Sequence, residues 1–170
     1  MGKDEIIDNS AENGTISSMS DGISNPIEQA HPADVIWGKA LNRRQESLLD
    51  RIPNYGDKLL VRKRDVSMLD LAAMTANAGV EFALFTRKGE RLIVRGNEQQ
   101  VRLYDSDLAE LRDEGYRWSG HTHSGNRDVD LVSSEGDKRA LIIMKQNNSV
   151  IYNAAGKHRL IYPKGGESHD

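Results

Sequence analysis

The sequence predicts an α+β domain, a mixed central β-sheet flanked by helices. Three observations point there. Stretches of helical periodicity interleave with short strand-like runs along the chain instead of segregating into blocks. Residues 80–96 and 149–163 each hold two apolar runs around a turn signal, Lys88-Gly89 and Ala155-Gly156, and read as hairpins. The chain has 170 residues, 37% of them hydrophobic, enough for one core, and shows no internal repeat.

The elements follow in order. Residues 1–33 contain no Phe, Tyr or Trp and are rich in Ser, Asn, Gly, Asp and Glu. Such a segment buries too little apolar surface to offset its ordering entropy, so it is expected to be a flexible acidic leader. Residues 35–52 space Ile36, Ala40, Leu48, Leu49 and Ile52 as one helical face, ended by Pro53. Residues 58–63 are strand-like. Residues 66–79 place Met68, Leu69, Leu71, Ala72 and Met74 at helical spacing, with Gly79 as the cap. The 80–96 hairpin follows, then a helix over 105–115 with Asp105 or Ser106 at its start, and a strand over 116–123. A helix over 134–147 precedes the terminal hairpin, and residues 166–170 read as a frayed tail. The predicted domain therefore covers residues 34–165.

Composition removes several classes of function. The net charge is −3, so no global basic field recruits nucleic acid, and the basic clusters at Arg62–Arg64 and Arg87–Arg91 read as solvated faces. With no cysteine there is no disulfide, no thiolate metal site and no cysteine nucleophile. Any metal must be held by His and carboxylates. No apolar run reaches membrane-spanning length and no export signal is legible, so a soluble chain is expected.

The chemistry-bearing residues cluster in three places. His121 and His123, in "GHTHSG", stand two apart on a predicted strand and so present both imidazoles on one face. Gly120 and Gly125 leave room around them. Taken alone, such a pair also fits a polar strand edge. Ser134 and Asp137, in "SSEGD", have the spacing of a capping box at a helix start. Glu81, in "GVEFALF", sits among apolar neighbours, where partial desolvation raises a carboxylate's pKa and suits it to general-base work.

A Glu on an early strand, then His-x-His, then Ser-x-x-Asp opening a helix resembles the JAMM motif of the JAB/MPN metallopeptidase family. The matching residues are Glu81, His121, His123, Ser134 and Asp137, and the order of elements from about 58 to 162 resembles the family's as well. "GVEFALF", the Lys-Gly hairpin and "GHTH" are similar to bacterial JAB-like domains, including those at the C-termini of polymorphic toxins. The sequence departs from the pattern in two ways. The loop over residues 124–133 is longer than usual, and Ser124 stands where Pro commonly follows the second His. The longer loop brings Asp128 and Asp130 into consideration as metal ligands. Asp137 is preferred, because a helix start fixes a carboxylate better than a loop does.

The resemblance implies one Zn²⁺ per chain, held by His121, His123 and Asp137, with Glu81 as general base and Ser134 as oxyanion donor. It implies cleavage of a peptide or isopeptide bond in a protein or peptide, with ubiquitin-like proteins as the family's usual partners. For the toxin-like type it further implies a parent delivery protein, a cytoplasmic site of action and an immunity protein. Three other readings compete: a metal-dependent nuclease, a non-catalytic JAB/MPN-like scaffold, and an α+β domain whose His pair is incidental.

Overall fold

The computed structural model describes residues 40–163. The predicted leader and tail, and the part of the first predicted helix before Ala40, lie outside the described residues. The elements are α1 (Arg43–Asp50), β1 (Lys58–Arg62), a 3-10 turn (Lys63–Asp65), α2 (Met68–Ala78), β2 (Phe82–Arg87), β3 (Glu90–Arg95), α3 (Asp105–Asp113), β4 (Arg117–Thr122), a second 3-10 turn (Asp128–Leu131), α4 (Glu135–Met144), β5 (Ser149–Tyr152) and β6 (His158–Ile161). They form one mixed six-stranded sheet in the order β1-β3-β2-β4-β5-β6. Every neighbouring pair is antiparallel except β4 and β5. That parallel pair needs a crossover, and α4 supplies it. The predicted α+β class is the one observed.

Helices cover both faces of the sheet. Leu48, Ile52, Leu71 and Met74 from α1, its C-terminal flank and α2 pack on Phe82, Leu84 and Ile93 on one face. Leu108, Ala140, Leu141 and Met144 from α3 and α4 pack on Ala83, Phe85, Trp118 and Ile151 on the other. The run Phe82–Phe85 is apolar at every position because each side of β2 meets a helix layer.

One helix start differs from the sequence reading, and another is capped by a residue that reading did not name. Ala40 to Asn42 are not helical, and α1 starts at Arg43, where the Asn42 side chain accepts the Gln45 N–H and the Gln45 side chain returns a bond to the Asn42 N–H. Before α3 the cap position is Tyr104, whose N–H donates to the Asp107 carboxylate at 2.9 Å. Asp105, read as a helix start, is the first helical residue. Gly79 ends α2 in the left-handed conformation, as predicted.

Asp70 joins α1 to α2. Its carboxylate accepts from Arg44, from Gln45 and from the Ser67 N–H. Burial alone would raise its pKa, but these donors outweigh burial and hold it below the ordinary value. A depressed carboxylate stabilises the fold above its unfolded pKa, and that stabilisation is lost as pH falls through the folded value. Asp70→Asn is therefore expected to cost about 2 kcal/mol near pH 7 in urea unfolding. The gap from wild type should close as pH drops below 3.8. A gap that persists undiminished at low pH would show that the charge is not what matters.

Candidate metal centre

The centre lies where β2, β4 and the start of α4 meet, on the sheet face that α3 and α4 cover. Ala83 pairs with His121 across the β2–β4 ladder. Side chains two apart along extended backbone share a face, so Glu81, just before β2, with Ala83, and His121 with His123, just past β4, all point toward α4. All four groups that face one another are nearly inaccessible: Glu81 is 1% exposed, His121 2%, His123 1% and Asp137 0%.

A β-bulge adds to this arrangement. The β2–β4 register shifts between Leu84 and Phe85, so Gly120 pairs with Leu84 and Trp118 with Phe85, leaving Ser119 as the extra residue. Trp118 and His121, three apart, would otherwise point to opposite faces. The bulge puts them on the same one, and the indole stacks on the imidazole with centroids 5.0 Å apart. Gly120 is required here, since a Cβ would meet the Val150 carbonyl oxygen at 2.9 Å and Met68 Sδ at 3.0 Å.

The ligand-bearing atoms converge. His121 Nε2 and His123 Nε2 are 3.1 Å apart. Asp137 Oδ1 lies 3.1 Å from His121 Nε2, and Oδ2 lies 3.7 Å from His123 Nε2. Oδ1 approaches by distance without the alignment of a hydrogen bond. His121, His123 and Asp137 offer one ligand atom each within 4.8 Å of one another, a group that could hold a metal ion. The His123 Nδ1–H donates to the Asp130 carbonyl oxygen at 2.8 Å, and since a carbonyl only accepts, the neutral ring keeps its lone pair on Nε2. That lone pair faces His121 and Asp137.

Ser134 and Asp137 form the predicted capping box. The Asp137 N–H donates to Ser134 Oγ and the Ser134 N–H donates to Asp137 Oδ2, each at 3.0 Å. The box uses Oδ2 and leaves Oδ1 directed at His121. Capping and facing the imidazoles are thus compatible roles for one carboxylate.

Electrostatics in the cluster follow from burial and two carboxylates. Burial disfavours the charged His123 ring, yet Glu81 and Asp137 outweigh burial and raise its pKa to about 9. Burial lowers the His121 pKa more than Asp137 raises it. Burial would push Asp137 up, but the two imidazoles hold it well below the ordinary carboxylate value. Buried carboxylates call for a positive partner, and a proton on His123 or a bound cation meets that need.

Of the two loop acids considered as ligands, neither joins the group. Asp128 is exposed and pairs with Lys157 at 3.2 Å. The Asp130 carboxylate turns away to accept the Arg127 N–H at 2.9 Å, seated over Gly125, whose Cβ would lie 2.1 Å from it. Asp130 contributes its main-chain carbonyl instead.

Several supporting residues lay outside the sequence reading. Thr122, between the two histidines, points to the opposite face, where its Oγ1 accepts the Phe82 N–H at 2.9 Å and lies 2.7 Å from Thr75 Oγ1. It thereby ties the backbone beside Glu81 to α2. Asn153 is fully buried between the β5–β6 turn and the loop behind His123. The turn signal in the sequence was Ala155-Gly156, and the partner of Asn153 is 26 residues away. A cavity of about 370 Å³ runs between Leu131–Ser133 and Arg159–Tyr162. Ser133 brings it next to Ser134, although none of Glu81, His121, His123 and Asp137 lines it.

The chain matches no family model, no curated protein and no solved structure. No helix among the described residues is long and apolar enough to cross a membrane.

Proposed function

We propose that this chain is a zinc-dependent amide hydrolase of the JAB/MPN type, acting on a peptide or isopeptide bond of a protein substrate. One observation carries the reading. Two imidazole nitrogens and a carboxylate converge in a buried group, with a second buried carboxylate, Glu81, on the same sheet face and close enough to raise the pKa of His123. The spacings suit the ion. Two ligand atoms each ~2.0–2.1 Å from a tetrahedral zinc stand roughly 3.3 Å apart, against the 3.1 Å between the two Nε2 atoms and the 3.1 Å from Asp137 Oδ1 to His121 Nε2. A donor set of two His and one carboxylate also leaves a coordination position for water, the mark of a catalytic rather than a structural site.

Zinc, when bound, supplies Lewis acidity that lowers the pKa of water toward ~7 and polarises a carbonyl oxygen. His121, His123 and Asp137 hold it. Glu81 accepts the proton released as water attacks the amide carbon and passes it to the departing amine. Ser134 accepts the Asp137 N–H through a lone pair, so its own hydroxyl hydrogen remains to donate to the carbonyl oxygen as charge develops there. Burial lowers the local dielectric and strengthens each of these interactions.

The testing experiment is metal content. Untagged protein purified without chelator is expected to carry close to one zinc per chain by elemental mass spectrometry, and to hydrolyse ubiquitin-like or peptide-linked amide substrates. A chain that carries none and takes none from added Zn²⁺ would overturn the reading.

A further inference from the structure

We propose that Asn153 is a positioning residue for this centre: its side-chain amide fixes the turn that backs His123, and through that turn it sets how tightly the site holds a divalent metal. The inference rests on the metal reading above. His123 owes its orientation and tautomer to the Asp130 carbonyl. That carbonyl belongs to the 3-10 turn Asp128–Leu131, within the long loop between the second histidine and α4. The turn pivots on Arg127, whose N–H donates to the Asp130 carboxylate at 2.9 Å and whose carbonyl accepts the Asp130 N–H at 3.0 Å.

The Arg127 carbonyl has a second donor, Asn153 Nδ2, at 3.0 Å. Asn153 is anchored in turn, for its Oδ1 accepts the N–H groups of Ala155 at 3.0 Å and Lys157 at 3.1 Å. The flanking residues hold the same loop. The His123 N–H donates to the Tyr152 carbonyl at 2.9 Å, and the Ala154 N–H donates to the Gly125 carbonyl at 2.7 Å. Residues 152–154 therefore grip residues 123–127 at three points, and only the middle grip is made by a side chain. That position, 0% exposed, needs a donor on one side and an acceptor on the other, which an amide supplies. Partners behind a metal-bound histidine typically change metal affinity 10–100-fold when lost.

Asn153→Asp isolates the donor. Aspartate keeps an acceptor for Ala155 and Lys157 but sets a carboxylate oxygen against the Arg127 carbonyl. Zinc dissociation constants of the full chain would be measured by competition with a chromophoric chelator. The His123 Nδ1 proton would be followed by NMR, and the metal-free melting temperature recorded. The variant is expected to bind zinc 10–100-fold more weakly and to lose the slowly exchanging Nδ1 proton signal. An added carboxylate near a cation tightens binding by charge alone, so weakening reports the lost clamp. If Asn153→Asp does not fold, Asp130→Ala releases the same turn from its other side, with the same expected loss. A folded variant that binds as tightly as wild type and keeps the proton signal would overturn the proposal, even if its melting temperature falls. Wild-type protein that takes up no zinc would instead overturn the metal reading itself.

Discussion

Glu81→Gln protein is expected to fold, to take up metal as wild type does, and to lose about 10²–10⁴-fold in amide-hydrolysing turnover, the range general-base catalysis supplies. Gln has nearly the same shape as Glu, so the packing at the start of β2 survives. Its amide cannot take a proton from water. Glu81 is not one of the three proposed metal ligands, which is why metal content and turnover should separate in this variant. The measurement pairs kcat with metal per chain on the same preparation. Turnover equal to wild type at full metal loading would remove Glu81 from the mechanism.

His123→Ala is expected to abolish stoichiometric metal binding. Two ligands remain of a group of three, and the deleted ring is the one whose geometry is fixed from behind by Asp130. A ligand that binds only the folded state adds about 4 kcal/mol when present at a thousand times its dissociation constant. Wild-type melting temperature should therefore rise with added zinc and fall with chelator, while that of His123→Ala should respond to neither. The variant's far-ultraviolet circular dichroism checks that it is folded. One zinc per chain retained in this variant would refute the ligand assignment.

Much of the architecture was legible because it is governed by local physics. Gly79 ends α2 because a left-handed residue is needed there. Lys88-Gly89 turns the first hairpin, with Lys88 at φ 51°. Ser134 and Asp137 announce a helix start at the spacing of a capping box, and they form one. Helix starts set by less obvious partners were harder to read. Asn42 caps α1 well after the apolar periodicity starts, and the cap of α3 is Tyr104, whose N–H is met by Asp107.

The sequence by itself determined which side chains of the candidate centre could share a face. His121 and His123 are two apart on a strand, and Asp137 stands at the third position of a helix beside its cap, spacings that the pleat and the helical turn translate directly into direction. It could not determine that Trp118 stacks on His121, since that depends on the bulge at Ser119, a feature of how β4 pairs with β2. It favoured Asp137 over Asp128 and Asp130 as a ligand, on the argument that a helix start fixes a carboxylate better than a loop does, but could not show where the loop acids point. All three lie within reach along the chain, and the directions in which the 3-10 turn and α4 aim the carboxylates bring Asp137 to the two imidazoles and leave Asp128 and Asp130 outside that group. The turn in its place is held by Asn153 from another hairpin. Local spacing fixes direction, whereas pairing register and long-range hydrogen bonds fix position, and a metal centre requires both.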